Sequence, residues 1–202
     1  MQRSGEKPPY ILAGHSLGTM EMLLYASNYP DEVAGIISID GASPYYFINN
    51  EKIIKSRKFL VYISRFSGIV RILSEFKLMP YVNYRIKQLP KDIGKLDKVL
   101  LYKNLFNSMV LKEADSIVSA SLKMNEKLDL KDVPMIIYTV GESFKKLPFW
   151  DETQKSLIGL SSNSKQIILE NTNHSNVLYD SAEQISKGIK ELIDNYEKVK
   201  YS

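Results

Sequence analysis

The stretch Tyr10-Ile11-Leu12-Ala13-Gly14-His15-Ser16-Leu17-Gly18 decides the reading of this chain. Tyr10 to Ala13 is a short apolar run behind Pro8-Pro9, the pattern of a buried strand. Gly14-His15-Ser16-Leu17-Gly18 follows without a spacer. Thr19 to Tyr29 then reads as a helix, with Met20, Leu23, Leu24 and Ser27 on one face and Pro30 as its stop. A strand that enters a helix through Gly-x-Ser-x-Gly needs a tight, strained turn, and both glycine positions are expected to require a residue without a β-carbon. In such a turn Ser16 projects from the end of the sheet. The N–H of Leu17 points to the same place, and the helix adds its positive N-terminal end. A five-residue match is weak alone; the strand–turn–helix context gives it weight.

Working outward, Gly35 to Ile39 is a second apolar strand that ends at Asp40-Gly41. Pro134 to Gly141 predicts a third strand and Gln166 to Leu169 a fourth. Helices are expected over Asp151 to Leu160 and Ala182 to Tyr196, the latter with Ile185, Ile189, Leu192 and Ile193 on one face. Strands alternating with helices imply an α/β fold, a parallel sheet covered on both faces by helices. Pro44 to Leu130 breaks this alternation and reads as several helices joined at Pro80, Pro90 and Gly94, an insertion carried by the sheet. The expected organisation is therefore 1–43, a helical insertion at 44–130, and 131–202 returning to the sheet. No internal repeat or low-complexity segment is present.

The nucleophile region Pro9 to Gly18 resembles that of the α/β-hydrolase family, as does the continuation Tyr25-Ala26-Ser27-Asn28-Tyr29-Pro30-Asp31-Glu32-Val33-Ala34-Gly35. Asn173-His174 before the final helix also fits, and the helical middle matches the family's variable cap. The resemblance implies Ser16 as nucleophile and His174 as general base, with the order Ser…Asp/Glu…His. The residues agree. A serine hydroxyl needs a neighbouring base, and of the two histidines His15 adjoins Ser16, where adjacent side chains diverge, whereas His174 lies in a polar loop after the last strand. The acid is less direct. Most members place it after the strand that precedes the histidine strand, but here that pattern reads Gly141-Glu142-Ser143-Phe144, with Phe144 where the carboxylate should be. Some relatives place it one strand earlier, where this chain has Asp40. Asp40 is the first candidate, and Glu142 and Asp151 are the alternatives. Leu17 is the candidate oxyanion donor.

The resemblance also implies that the nucleophile strand is the fifth of eight, so that the first strands are absent (an N-terminally truncated form), together with a second oxyanion donor from the loop after the third strand. The expected activity is hydrolysis of an ester or similar acyl bond through a Ser-His-Asp triad and an acyl-enzyme. The alternative is a non-catalytic fragment or binding remnant that keeps the elbow. No metal or organic cofactor is implied; the partner is a small-molecule acyl substrate, and no nucleic acid is expected.

The 202 residues carry a net charge of +4 and no cysteine, which excludes disulfides and thiolate metal sites within them. A charged fraction of 25% argues against global disorder. The charge is uneven: residues 44–130 hold 16 Lys and Arg against 8 Asp and Glu. Within them, Lys55 to Leu73 sets Phe59, Tyr62, Ile63, Phe66, Val70 and Leu73 at helical spacing among basic residues. Two readings compete there, a lid helix and a basic amphipathic helix touching anionic membrane. Tyr45 and Tyr46 read equally as pocket walls or cap core. With no signal peptide or 18-residue apolar run, a cytoplasmic location is expected for the chain as given, with membrane association of a longer parent chain and the oligomeric state left open.

Overall fold

A computed structural model describes residues 5–56, 80–104 and 108–200. The four expected strands are β1 (Tyr10–His15), β2 (Val33–Ile39), β3 (Met135–Val140) and β4 (Ser164–Leu169). They form one parallel sheet in the order β1-β2-β3-β4. His15 lies level with Ile39, and Ile39 with Tyr138. Ser16 and Asp40 therefore leave adjacent strands side by side, at the carboxyl edge where parallel sheets present their functional loops.

The helices are α1 (Gly18–Asn28), α2 (Pro44–Asn49), α3 (Pro80–Lys87), α4 (Lys91–Asn104), α5 (Ser108–Asn125), α6 (Ser143–Lys146), α7 (Trp150–Ile158), α8 (Val177–Asp180) and α9 (Ala182–Lys200). Side-chain alternation divides the sheet. Ile37, Ile39, Ile136, Tyr138, Val140 and Leu169 face α9, where Ile185 and Leu192 complete a buried cluster with Val177. The opposite parity carries Ser38 and Thr139. Ser38 shares a hydrogen bond with Thr19 of α1, and Thr139 donates to Gln154 of α7. Helices thus cover both faces, as the alternating pattern requires.

Three sequence expectations change in detail. The apolar run Tyr10 to Ala13 predicts a buried strand, but only Leu12 is buried there and Ala13 is exposed, because β1 is an edge strand among the described residues. The buried face of α1 is Thr19, Met20, Met22, Leu23 and Ala26, while Leu24 is 50% exposed. The face is centred on Met22–Leu23, so the expected stripe through Leu24 and Ser27 was rotated. On α9, Ile193 is 42% exposed, and Gly188 takes a place on the inner face. A Cβ at Gly188 would meet the Tyr138 hydroxyl at 2.3 Å, so the helix approaches the sheet there as only glycine allows.

The described residues fall into two compact units, one of 1–49 with 121–202 and the other of 50–120. In the second, α3 and α4 pair through Arg85, which donates from Nε and a terminal nitrogen to the two oxygens of Asp97 at 2.9 and 2.6 Å. The apolar stripe expected within Lys55–Leu73, from Phe59 to Leu73, lies outside the described residues. Among those described, no helix is long and apolar enough to cross a membrane.

Candidate active site

The turn after β1 does what its glycine pattern implies at one end and not at the other. A Cβ at Gly14 would sit 2.7 Å from the Gly18 carbonyl oxygen and 2.8 Å from Met22, so β1 and α1 meet too closely for any other residue. At Gly18 a Cβ would meet nothing within 4 Å, so the expectation that both positions need glycine is corrected for Gly18. Between them Ser16 has φ 55°, a left-handed backbone that a non-glycine residue adopts at a cost. Leu17 is the N-cap of α1 and makes no side-chain cap bond; in the first turn the N–H groups of Thr19 and Met20 donate to Ser16 O at 3.2 Å and Leu17 O at 2.9 Å.

Asp40 follows β2 with φ 41°, a conformation that aspartate tolerates better than most residues. Backbone bonds tie this turn to the first one: the N–H of Ser16 donates to Ile39 O at 3.2 Å, and that of Ala42 to Ser16 O at 3.0 Å. Asp40 N–H donates to Tyr138 O at 2.6 Å. A Cβ at Gly41 would lie 2.2 Å from Ser38 Oγ and 2.3 Å from Thr19 Oγ1, so this turn too depends on a missing side chain. Gln154 supports it from below: its amide nitrogen donates to Gly41 O and its oxygen accepts from Thr139, each at 2.9 Å.

His174 arrives on the loop after β4. Asn171 takes a left-handed backbone at φ 59°, and Asn173 Oδ1 accepts from the N–H groups of Ser175 and Asn176 at 3.0 and 3.1 Å. Such side-chain-to-backbone bonds fix a loop without regular structure. The imidazole then stands between the other two residues, with Nδ1 2.7 Å from Asp40 Oδ2 and Nε2 3.0 Å from Ser16 Oγ. A carboxylate only accepts, so Nδ1 carries the hydrogen; in the neutral ring Nε2 is then the acceptor for the Ser16 hydroxyl.

Asp40 is fully buried, and its four acceptor sites are all used. Oδ1 takes the Val140 N–H and the Trp150 indole N–H, both at 3.0 Å, and Oδ2 takes the Ser143 hydroxyl at 2.6 Å besides His174. Trp150 also stands edge-on to His174, with ring centres 6.1 Å apart, and Tyr46 packs edge-on to Trp150 at 5.2 Å. Glu142 and Asp151 are elsewhere: each makes a surface ion pair within its own turn, with Lys146 at 2.6 Å and Lys155 at 2.5 Å. His15 makes no bond to Ser16. Its Nε2–H donates to the backbone carbonyl of His174 at 2.9 Å, and its ring lies 4.7 Å from that of His174. Burial, and then the His174 imidazole, hold His15 below the usual histidine value.

Sequence reasoning passed over Ser143, Trp150 and Gln154. Two signals bore on them. Trp150 is the chain's only tryptophan, and a buried indole N–H needs an acceptor. Ser143 sits in the stretch where a carboxylate was sought, and a hydroxyl there is a donor for a carboxylate on the neighbouring strand.

The sequence model described as alpha/beta hydrolase fold matches residues 1–62. A thermophilic esterase from Thermogutta terrifontis superimposes with a TM-score of 0.53 at 17% identity, over 96% of this chain and 68% of that one. MGS-M2, an alpha/beta hydrolase enzyme from a Medee basin deep-sea metagenome library, gives 0.59 at 15% identity, over 95% and 67%. The chain has the α/β-hydrolase fold. In sequence, it is 40% identical over 48 residues to YbdG of Bacillus subtilis (strain 168), covering 24% of this chain and 15% of that protein. The chain spans between 15 and 34% of the length of three curated relatives it matches. This α/β-hydrolase-fold chain holds, among its described residues, no group of three or more His, Cys, Asp or Glu able to bind a metal ion.

Proposed function

We propose that the chain belongs to a serine hydrolase that cleaves an ester or similar acyl bond. The observation that carries this reading is the continuous hydrogen-bonded line from Ser16 Oγ through His174 to the buried Asp40 carboxylate. Ser16 Oγ attacks the acyl carbon while its proton passes to His174 Nε2. The charge that develops on the substrate oxygen faces the Leu17 N–H and the amino end of α1. Collapse of this intermediate breaks the acyl–oxygen bond, and His174 returns the proton to the leaving alkoxide. Water then attacks the acyl-enzyme, gives a proton to His174, and releases the acid; Ser16 Oγ takes the proton back. Asp40 holds the Nδ1–H tautomer throughout and stabilises the imidazolium as it forms.

The rival reading, a binding remnant that keeps the elbow without turnover, separates cleanly from this one. In the full-length protein a fluorophosphonate probe should label Ser16 covalently, and Ser16→Ala should abolish both labelling and hydrolysis of p-nitrophenyl esters. Equal labelling of wild type and Ser16→Ala would refute the hydrolase reading.

A further inference from the structure

We propose that Ser143 and Trp150 are positioning residues for the triad: from the segment between β3 and α7 they hold the Asp40 carboxylate, and through it the His174 imidazole, in line with Ser16. This rests on the hydrolase reading above. The strand after which most relatives carry their acid here carries none in register; instead its loop supplies donors to an acid on the neighbouring strand. Val140 N–H, Ser143 Oγ–H and the Trp150 indole N–H occupy three of the four acceptor sites of Asp40, leaving one lone pair for His174 Nδ1. With Oδ1 held by the end of β3 and the first residue of α7, and Oδ2 by Ser143 at the start of α6, the carboxylate plane has one orientation. Ser143 and Trp150 are themselves buried, so no water competes for these bonds.

Trp150 restrains the base as well as the acid. Its indole stands at 89° to the His174 ring, and Tyr46 packs edge-on against the same indole at 87°. The backbone is bent to put it there: Phe149, the N-cap of α7, has φ 58°, a conformation that persists only where the surroundings enforce it. One strained residue thus starts a helix with the chain's only tryptophan pointed at the triad.

The test compares Ser143→Ala, Ser143→Thr and Trp150→Phe with Ser16→Ala in the full-length protein, using a p-nitrophenyl ester and fluorophosphonate labelling. Each of Ser143→Ala and Trp150→Phe removes one hydrogen bond to an ionised group, so kcat should fall roughly 10–100-fold. KM should stay within about twofold, because neither side chain is assigned a substrate contact. Ser143→Thr keeps the hydroxyl and should restore kcat to within about threefold of wild type. Labelling rates should follow kcat. The Trp150 indole N–H resonance, assigned through its loss in Trp150→Phe, should be protected from solvent exchange in wild type and lose that protection in Asp40→Ala. If Ser143→Ala does not fold, Ser143→Cys, close in shape and a weak donor, takes its place. Wild-type kcat in folded Ser143→Ala and Trp150→Phe, with Ser16→Ala inactive, overturns the positioning roles and leaves the hydrolase reading standing. A raised KM at unchanged kcat overturns them equally, since the residues would then line the substrate site. Full activity in Ser16→Ala overturns the hydrolase reading and this inference with it.

Discussion

At Asp40 a buried carboxylate, a left-handed backbone and the end of an inner strand coincide, and four donors converge on the two oxygens. A side chain held so closely should be sensitive to the loss of one charge. Asp40→Asn in the full-length protein should lower turnover by roughly 10³–10⁴, the scale of losing a triad carboxylate. Glu142→Gln and Asp151→Asn break only exposed pairs with Lys146 and Lys155, and should change turnover by less than about twofold. A larger loss in Asp151→Asn than in Asp40→Asn would move the acid to the later loop. His15 makes a different prediction. Its value is lowered in the folded protein, by burial first and His174 second. The unfolded chain therefore binds a proton there more readily, and stability rises with pH across that interval. The contribution is complete above the unfolded value of about 6.5 and is lost as pH falls through the lowered folded value. Urea titrations from pH 7.5 to 4.5 should show wild type losing stability relative to His15→Gln as the pH drops; parallel curves would mean that His15 does not titrate differently on folding.

The elements carrying these residues were legible to different degrees, for physical reasons. β2 and β3 are inner strands, and their near-continuous apolar runs give them away. β1 and β4 are the edges among the described residues, where one side of the strand is wet, so Ala13 is exposed within an apolar run; β1, β2 and β4 each extend by two residues beyond the apolar run that marks them. Ser16 and His174 were legible because a spaced glycine pair marks the turn and only two histidines exist to choose between. The residues around Asp40 were not. Contacts between Ser143 or Trp150 and a residue more than 100 positions earlier leave no periodic trace in a single sequence. The glycines offer a test at this scale. Gly41→Ala forces a methyl onto the Ser38 and Thr19 hydroxyls and should cost about 1–3 kcal/mol of stability, as overpacking does. It should also impair the site, because the same turn carries Asp40. Gly18→Ala opens onto free space at the start of α1, and should be neutral or stabilising by up to about 1 kcal/mol. Denaturant midpoints for the two variants measure both, and equal losses would contradict the packing described for the elbow.

For the molecule as a whole, the sheet and the chemistry lead to one expectation about the 202-residue chain expressed by itself. β1 carries Gly14 and leads into Ser16, yet it is an edge strand, paired on one side only among the described residues. An edge of this kind offers a row of unpaired N–H and C=O groups to other chains. On α1 and just after it, Leu24 and Tyr29 are 50 and 53% exposed, so further apolar surface is open to other chains. At the site, the Leu17 N–H is the oxyanion donor proposed, and removing one such donor typically lowers a rate by about 10²–10³. A geometrically complete Ser16–His174–Asp40 line does not by itself set the rate, which depends on the oxyanion donors as well. Alone, the chain should elute from size-exclusion chromatography as oligomers or aggregate, and should hydrolyse p-nitrophenyl esters little above background. Joined to a segment that pairs with β1 and supplies a second donor, it should become monomeric and gain Ser16-dependent turnover. A monomeric 202-residue chain turning over near ~10 s⁻¹, an ordinary enzyme rate, would show that this sheet needs no further strand and that one donor suffices.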